Sequence, residues 1–218
     1  MRLLFDQSEI GRSIFRVDRP KIGSHANRGS KMPRRIRYQV AASLDGYIAG
    51  PNGEADWIVM DPDIDFGELF GQFDTFLMGR ATFEGMVRQQ GSAAMPGMKV
   101  IVFSRTLRQK DHPDVTIVAK PSAESLTALR NEPGKDIWLF GGGSLFRSLL
   151  EIRMVDTVEI AVIPVLLGGG IPLLPTPAAR TKLKLTGHRV YKTGIVLLEY
   201  AIEYTPPRRA IKRKPSAP

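Results

Sequence analysis

Three places in this chain run an apolar segment straight into residues that suit a phosphate group. Ile137-Trp138-Leu139-Phe140 leads into Gly141-Gly142-Gly143-Ser144-Leu145-Phe146. Bare glycine backbone lets a ligand approach closely, and the N–H groups at the start of a following helix favour an anion. Phe76-Leu77-Met78 leads into Gly79-Arg80-Ala81-Thr82, which offers the same close approach, a fixed positive charge and a hydroxyl donor. Val100-Ile101-Val102-Phe103 ends in Ser104-Arg105, a hydroxyl beside a guanidinium suited to a phosphate monoester. Taken singly, each junction has a plainer reading as a tight packing turn or a solubilising arginine. The glycine run is neither a P-loop, which needs Gly-Lys-Ser/Thr at the helix start, nor a Rossmann fingerprint. Together the three carry more weight, because open α/β sheets bind ligands at the carboxyl ends of their strands. Several phosphates on one guest would use several such ends.

Positioning these residues takes alternating strands and helices, and the chain has that pattern. Short β-rich runs predict strands near 36–43, 75–79, 99–103, 115–118, 137–140 and 155–163, with helices near 64–73, 80–90, 122–131 and 143–152. Leu183-Lys184-Leu185 and Ile195-Val196-Leu197-Leu198-Glu199-Tyr200 flank Lys192-Thr193-Gly194, so 182–204 reads as a hairpin. The expected fold is a three-layer α/β/α domain over 32–204, its central mixed sheet mostly parallel and closed by a C-terminal antiparallel hairpin.

Composition narrows the chemistry. Of 218 residues, 43% are hydrophobic and 24% charged, ordinary for a globular protein, and none is cysteine. That removes disulfides, thiolate metal sites and a cysteine nucleophile, and it suits a reducing, cytoplasmic setting. His25, His112 and His188 lack the i, i+3 or i+4 partners of a helical metal site. The net charge of +9 sits in the ends: residues 1–37 hold ten Lys/Arg against three Asp/Glu, and 205–218 hold five against none. What lies between is mildly acidic, so a nucleic-acid partner is not expected of the core, and the tails read as solvated or as arms for an acidic surface. Residues 1–31 show no periodicity and read as a disordered or spurious extension before Met32; 205–218 reads as a basic disordered tail. No run approaches the length of a membrane span.

Five segments in order then make the chain resemble a known family. They are Ala41-Ala42-Ser43-Leu44-Asp45-Gly46-Tyr47-Ile48-Ala49, Met78 to Thr82, Phe103-Ser104-Arg105, the triple glycine, and Pro164-Val165-Leu166-Leu167-Gly168-Gly169-Gly170. This order is similar to the riboflavin-biosynthesis reductase branch of the dihydrofolate reductase superfamily and covers nearly all of 36–204. The resemblance implies the dihydrofolate-reductase-like fold, NADPH as cofactor, a small pterin- or pyrimidine-like substrate and a homodimer. It places the backbone around Ala41 and Ile48 at the carboxamide, under a mobile loop. Arg80, Ser104 and Arg105 then lie near the 2′-phosphate, Thr82 near the pyrophosphate, and Gly142, Gly143, Ser144, Leu145 and Phe146 along the phosphates, with Gly79 a cofactor-binding residue that eases close approach. Catalytic candidates are Asp63 or Asp65 as proton donor and Asp45 at the substrate. Each also has a local reading, Asp63 and Asp65 as favourable charges at a helix N-terminus and Asp45 as a turn residue before Gly46. Lys or Arg near 147–153 or 180–184 would serve a substrate phosphate. There is no deaminase segment with zinc-ligand His and Cys. The alternatives are the same fold without turnover, as a nucleotide-binding or regulatory module, and a nucleic-acid-associated protein that uses the basic tails.

Overall fold

The computed structural model describes residues 33–95 and 97–204; the expectations for 1–31, Met32 and 205–218 lie outside the described residues. The strands are β1 (Ile36–Ser43), β2 (Tyr47–Ala49), β3 (Phe73–Gly79), β4 (Lys99–Phe103), β5 (Thr116–Val118), β6 (Asp136–Gly141), β7 (Thr157–Ile163), β8 (Ile171–Pro172), β9 (Lys182–Val190) and β10 (Val196–Glu203). The helices are α1 (Phe66–Gly71), α2 (Arg80–Gln90), α3 (Ala123–Asn131) and α4 (Gly143–Glu151). Eight strands form one sheet in the order β5-β4-β3-β6-β1-β7-β10-β9. The first six run parallel, and β10 and β9 close the sheet antiparallel, as the hairpin pattern predicts.

Local chemistry explains the helix limits. Ser122 caps α3 by accepting from the Ser125 N–H, and α2 ends at Gly91 with φ 78°, a left-handed C-cap. The first helix is shorter than the expected 64–73. Asp65 stays extended and spends its carboxylate on the Glu68 N–H at 2.8 Å, and Gly67 and Gly71 weaken helix propensity. Two elements escape periodicity altogether, because β2 and β8 are too short to show any. They pair with each other as a separate two-stranded sheet.

The helices divide between the faces. Leu126 and Leu129 of α3 and Leu145, Phe146 and Leu149 of α4 pack on Ile36, Tyr38, Leu77, Leu139 and Val158. On the other face, Leu69 and Phe70 of α1 and Phe83 and Met86 of α2 pack on Phe73, Phe76, Val100 and Trp138. Strands β3 and β6 are covered on both faces, which is why they read as unbroken apolar runs. Beyond β7 the coverage ends. Leu183, Leu185 and Val190 of β9, 44–68% exposed, fall by register on the α3/α4 face but lie past both helices.

Candidate functional site

Six parallel strands bring their C-terminal ends to one edge, and both glycine junctions sit on it. Gly79 and Gly142 are the N-cap residues of α2 and α4, and neither helix start is capped by a side chain. A Cβ added to Gly79 would lie 3.9 Å from Gly141 O and Gly142 N. One added to Gly141 or Gly142 would lie 3.3 or 3.5 Å from Thr82 Oγ1. Two helix N-termini and the Thr82 hydroxyl therefore converge on one glycine-lined cradle, an arrangement that suits an anion.

The remaining members of these junctions divide by role. Leu145 and Phe146 are buried in the α3/α4 core, Phe146 stacked on Tyr38 at 3.9 Å between ring centroids, so only their backbones belong to the edge. Gly143 is also buried: a Cβ there would come within 2.5 Å of Pro172 O and 2.8 Å of Leu173 O, so its bareness serves packing against β8. Ser144 is exposed beside the cradle. The Ser104 hydroxyl is buried and accepts from the N–H groups of Thr106 and Leu107, which commits it to a local turn. Arg105 is exposed and, among the described residues, makes no ion pair; Arg80 is exposed and donates to both oxygens of Glu84 at 3.1 Å.

The segment after β1 is expected to form a mobile loop, and here it is tied down at four points. Leu44 N–H donates to Val165 O, Leu173 N–H to Gly46 O, and β2 pairs with β8. Asp45 is the fourth tie. Its carboxylate accepts from the Ser43 hydroxyl at 2.6 Å and from the Leu167 and Gly168 N–H groups at 3.1 and 2.7 Å. The Ser43 bond first, with those of the backbone, holds the Asp45 carboxyl below the usual carboxylate range. An anchored carboxylate of this kind is a clamp between two loops. Ile48 leans over the cradle, its Cδ1 4.0 Å from where a Gly142 Cβ would be.

Next to the cradle the sheet lies open on its α1 face. Register puts Gln39, Ala41, Phe140 and Ala161 on that face, and all four keep some exposure although β6, β1 and β7 have neighbours on both sides. Small side chains at 41 and 161, paired directly across the strands, leave a shallow cleft walled by Phe140. Gln39 as a residue is part-exposed, but its Oε1 is buried beneath this face without a hydrogen-bond partner among the described residues. Neither Gln39 nor Ala161 is marked by a motif, and Phe140 only ends the apolar run before the triple glycine; strand alternation from Ala41 outward is the signal that could have found them.

Residues 34–197 match the family model of the RibD C-terminal domain. The chain belongs to that family. It is 35% identical over 178 residues to the uncharacterized protein YyaP of Bacillus subtilis (strain 168), covering 77% of this chain and 94% of the other. Its fold is that of a Shewanella sp. PV-4 protein named for riboflavin biosynthesis, with a TM-score of 0.65 and 25% identity over 78% of this chain and 99% of that one. It is also that of a dihydrofolate reductase from Enterococcus faecalis complexed with NADP(H), with a TM-score of 0.57 and 20% identity over 78% and 97%.

In this RibD C-terminal domain the aspartates before α1 all have structural partners. Asp61 is 2% exposed and accepts from the Asp63 N–H and from both the N–H and hydroxyl of Thr193. Burial pushes its carboxyl up, but those bonds outweigh it and the net position is below the usual range. Asp63 pairs with Lys192 at 3.1 Å, and Asp65 caps α1. Thr193 and Lys192 lie in the turn between β9 and β10, so this acidic segment is fastened to the hairpin at the same sheet edge. Spacing brings Asp61 and Asp63 near the helix start; only the tertiary structure shows that the hairpin turn claims both.

Proposed function

We propose that the chain is an NADPH-dependent reductase that passes a hydride to a small conjugated substrate of pterin or pyrimidine type. The observation carrying this reading is the convergence of two uncapped, glycine-led helix N-termini beside an open cleft at the C-terminal edge of the sheet. Family membership and the NADP(H) held by the Enterococcus reductase of the same fold support it.

The residues present fit the cofactor. A Cβ would fill the space beside Thr82 that the glycines leave bare, and the N–H groups opening α2 and α4 suit a pyrophosphate. Arg80 and Arg105, at the ends of β3 and β4, would take the 2′-phosphate, and the backbone at Ala41 and Ile48 would meet the carboxamide. When bound, NADPH supplies the hydride. The residues at Ala41 and the loop carrying Ile48 would orient the reacting ring. Asp45, Asp61, Asp63 and Asp65 each have a structural partner in the fold, and the proton of the reaction is proposed to come from solvent or from an acidic side chain. The enzyme is proposed to act as a homodimer joined through the exposed leucines of β9.

Titrating the full chain with NADPH and NADH at one salt concentration, following tryptophan fluorescence, tests the reading. NADPH is expected to bind the more tightly. Arg80→Ala with Arg105→Ala should weaken NADPH by about 10-fold or more while leaving NADH within about 3-fold, since each charge-assisted bond to a phosphate is worth roughly 1.5–3 kcal/mol. Equal losses for both cofactors would remove the two arginines from the pocket. No binding of either would overturn the function and leave the fold as ancestry alone.

A further inference from the structure

The floor of the cleft does not stop at β7. Register carries the row Ala41, Ala161, Leu197 and Arg189 across β1, β7, β10 and β9, all on the α1 face. Ala41, Ala161 and Leu197 each keep some exposure, because α1 and α2 pack their apolar residues on Phe73, Phe76, Val100 and Trp138, toward the other end of the sheet. Neighbouring strands lie about 4.8 Å apart, so the Arg189 backbone stands about 10 Å from that of Ala161 and about 14 Å from that of Ala41. The position proposed for the reacting ring and this arginine therefore share one surface, a short arm apart.

Arg189 differs from Arg37, on the same face, in what holds it. Arg37 gives its guanidinium to Glu159 at 2.6 and 2.7 Å and to Gln72 at 2.7 Å. Arg189 is exposed and makes no ion pair or hydrogen bond among the described residues, although Glu199 is its diagonal neighbour on β10. The Glu199 carboxylate lies instead over Gly187, where an added Cβ would come within 2.7 Å of Oε2. What Arg189 does meet is the ring of Tyr191, its guanidinium carbon 4.8 Å from the ring centroid. Tyr191 is itself fixed, its N–H donating to Ile195 O at 2.9 Å and its carbonyl accepting from the Gly194 N–H at 3.0 Å. An aromatic ring covers a guanidinium's flat face and leaves the N–H edge, the part that forks onto a carboxylate or phosphate. Strand β9 runs in the direction of β1, so Tyr191 draws the guanidinium toward the sheet edge that carries the glycine cradle.

Three of the cations in the stretches expected to serve a substrate phosphate stand farther off. Arg147 is on α4, on the other face, where it reaches the Thr176 and Pro177 carbonyls. Lys182 and Lys184 share the face of Arg189 but pair with Glu203 and Ala201, well down β10 from Leu197. Resting on the reductase reading, we infer that Arg189, seated on Tyr191, is a specificity-determining residue that takes an anionic group, phosphate or carboxylate, carried by the substrate on an arm about 10 Å from its reacting ring. Leu197, part-exposed between the two positions, suits the apolar portion of such an arm. The two anions of the reaction are then held apart, the cofactor's at β3, β4 and β6 and the substrate's at β9.

Riboflavin and flavin mononucleotide share a ring and an arm and differ by one phosphate; pteroate and its methyl ester differ by one carboxylate on an arm. Calorimetric titration of the full chain with each of the four, at low salt and without cofactor, reads the worth of the anion. In at least one pair the charged member is expected to bind about 5-fold or more tightly, and which pair shows it separates phosphate from carboxylate. Arg189→Ala should erase that preference and leave the uncharged member within about 2-fold, as suits an exposed position. Arg189→Lys should keep only part of it, because a point charge lacks the fork. Arg80→Ala with Arg105→Ala should leave it in place, which shows that the anion is not seated in the cofactor's cradle. A preference that survives Arg189→Ala, or one lost with Arg80 and Arg105 instead, overturns the inference; so does the absence of any preference, or failure of all four to bind. NADPH affinity is read separately and should stay within about 2-fold in Arg189→Ala. Cofactor binding without an Arg189-dependent preference sinks this inference alone, and the preference without cofactor binding sinks the reductase reading alone.

Discussion

Tyr38 shows how single residues here trade satisfaction for position. It is fully buried in β1 with its ring stacked on Phe146, and its hydroxyl finds no partner among the described residues. Burial pushes that hydroxyl's pKa up, so the folded chain favours the neutral form. Stability from this source is intact below the unfolded value of about 10 and is lost as pH climbs beyond it. Tyr38→Phe keeps the stack and removes the unmet hydroxyl. Urea unfolding at pH 7 should show it unchanged to about 1 kcal/mol more stable, with a gentler decline above pH 10 than the parent. A loss of more than about 1 kcal/mol would mean that the hydroxyl has a partner such as a buried water. Asp45 makes the complementary case: its motif suggests contact with substrate, and in the fold its carboxylate accepts three bonds, from the Ser43 hydroxyl and the Leu167 and Gly168 N–H groups. A residue's type was legible in the sequence, but not which of two nearby loops would claim it.

At the scale of elements, the miniature β2–β8 sheet decides the shape of the edge. Gly170 has φ 147°, and a Cβ there would run into the Ala49 carbonyl. Gly143 meets the other side of the same strap at Pro172 and Leu173. Gly170→Ala combines an unfavourable backbone conformation with a backbone clash, so it should cost roughly 2–4 kcal/mol. Denaturant midpoints would read this, and protease cutting between 44 and 50 should rise in parallel as the strap lifts. A stable, protease-resistant Gly170→Ala protein would show that the strap is not needed to hold the loop. The pattern Leu167-Gly168-Gly169-Gly170 marks a turn, while the partner that makes Gly170 necessary lies some 120 residues earlier in the chain.

Across the whole molecule, the sheet has a bare margin. Strand β9 is the outermost strand, and Leu183, Leu185 and Val190 lie exposed on its α3/α4 face, with Lys182 and Lys184 on the other. Exposed apolar edges of this sort are either guarded by charge or covered by a neighbour. If the proposed homodimer uses this margin, sedimentation velocity should show a dimer that Leu185→Glu converts to monomer without loss of secondary structure. A monomeric parent, or a dimer indifferent to Leu185→Glu, would place the contact elsewhere or abolish it. Most of the α/β order, the two glycine-led strand-to-helix junctions and the C-terminal hairpin follow from the sequence alone, because hydrophobic period and glycine punctuation are local properties. Which acids have partners, which glycines stay bare beside Thr82 and which pack against the strap, and the open floor at Gln39, Ala41 and Ala161 were decided only by tertiary structure. Each of these depends on a side chain meeting a segment distant in the chain, and no local pattern encodes that meeting.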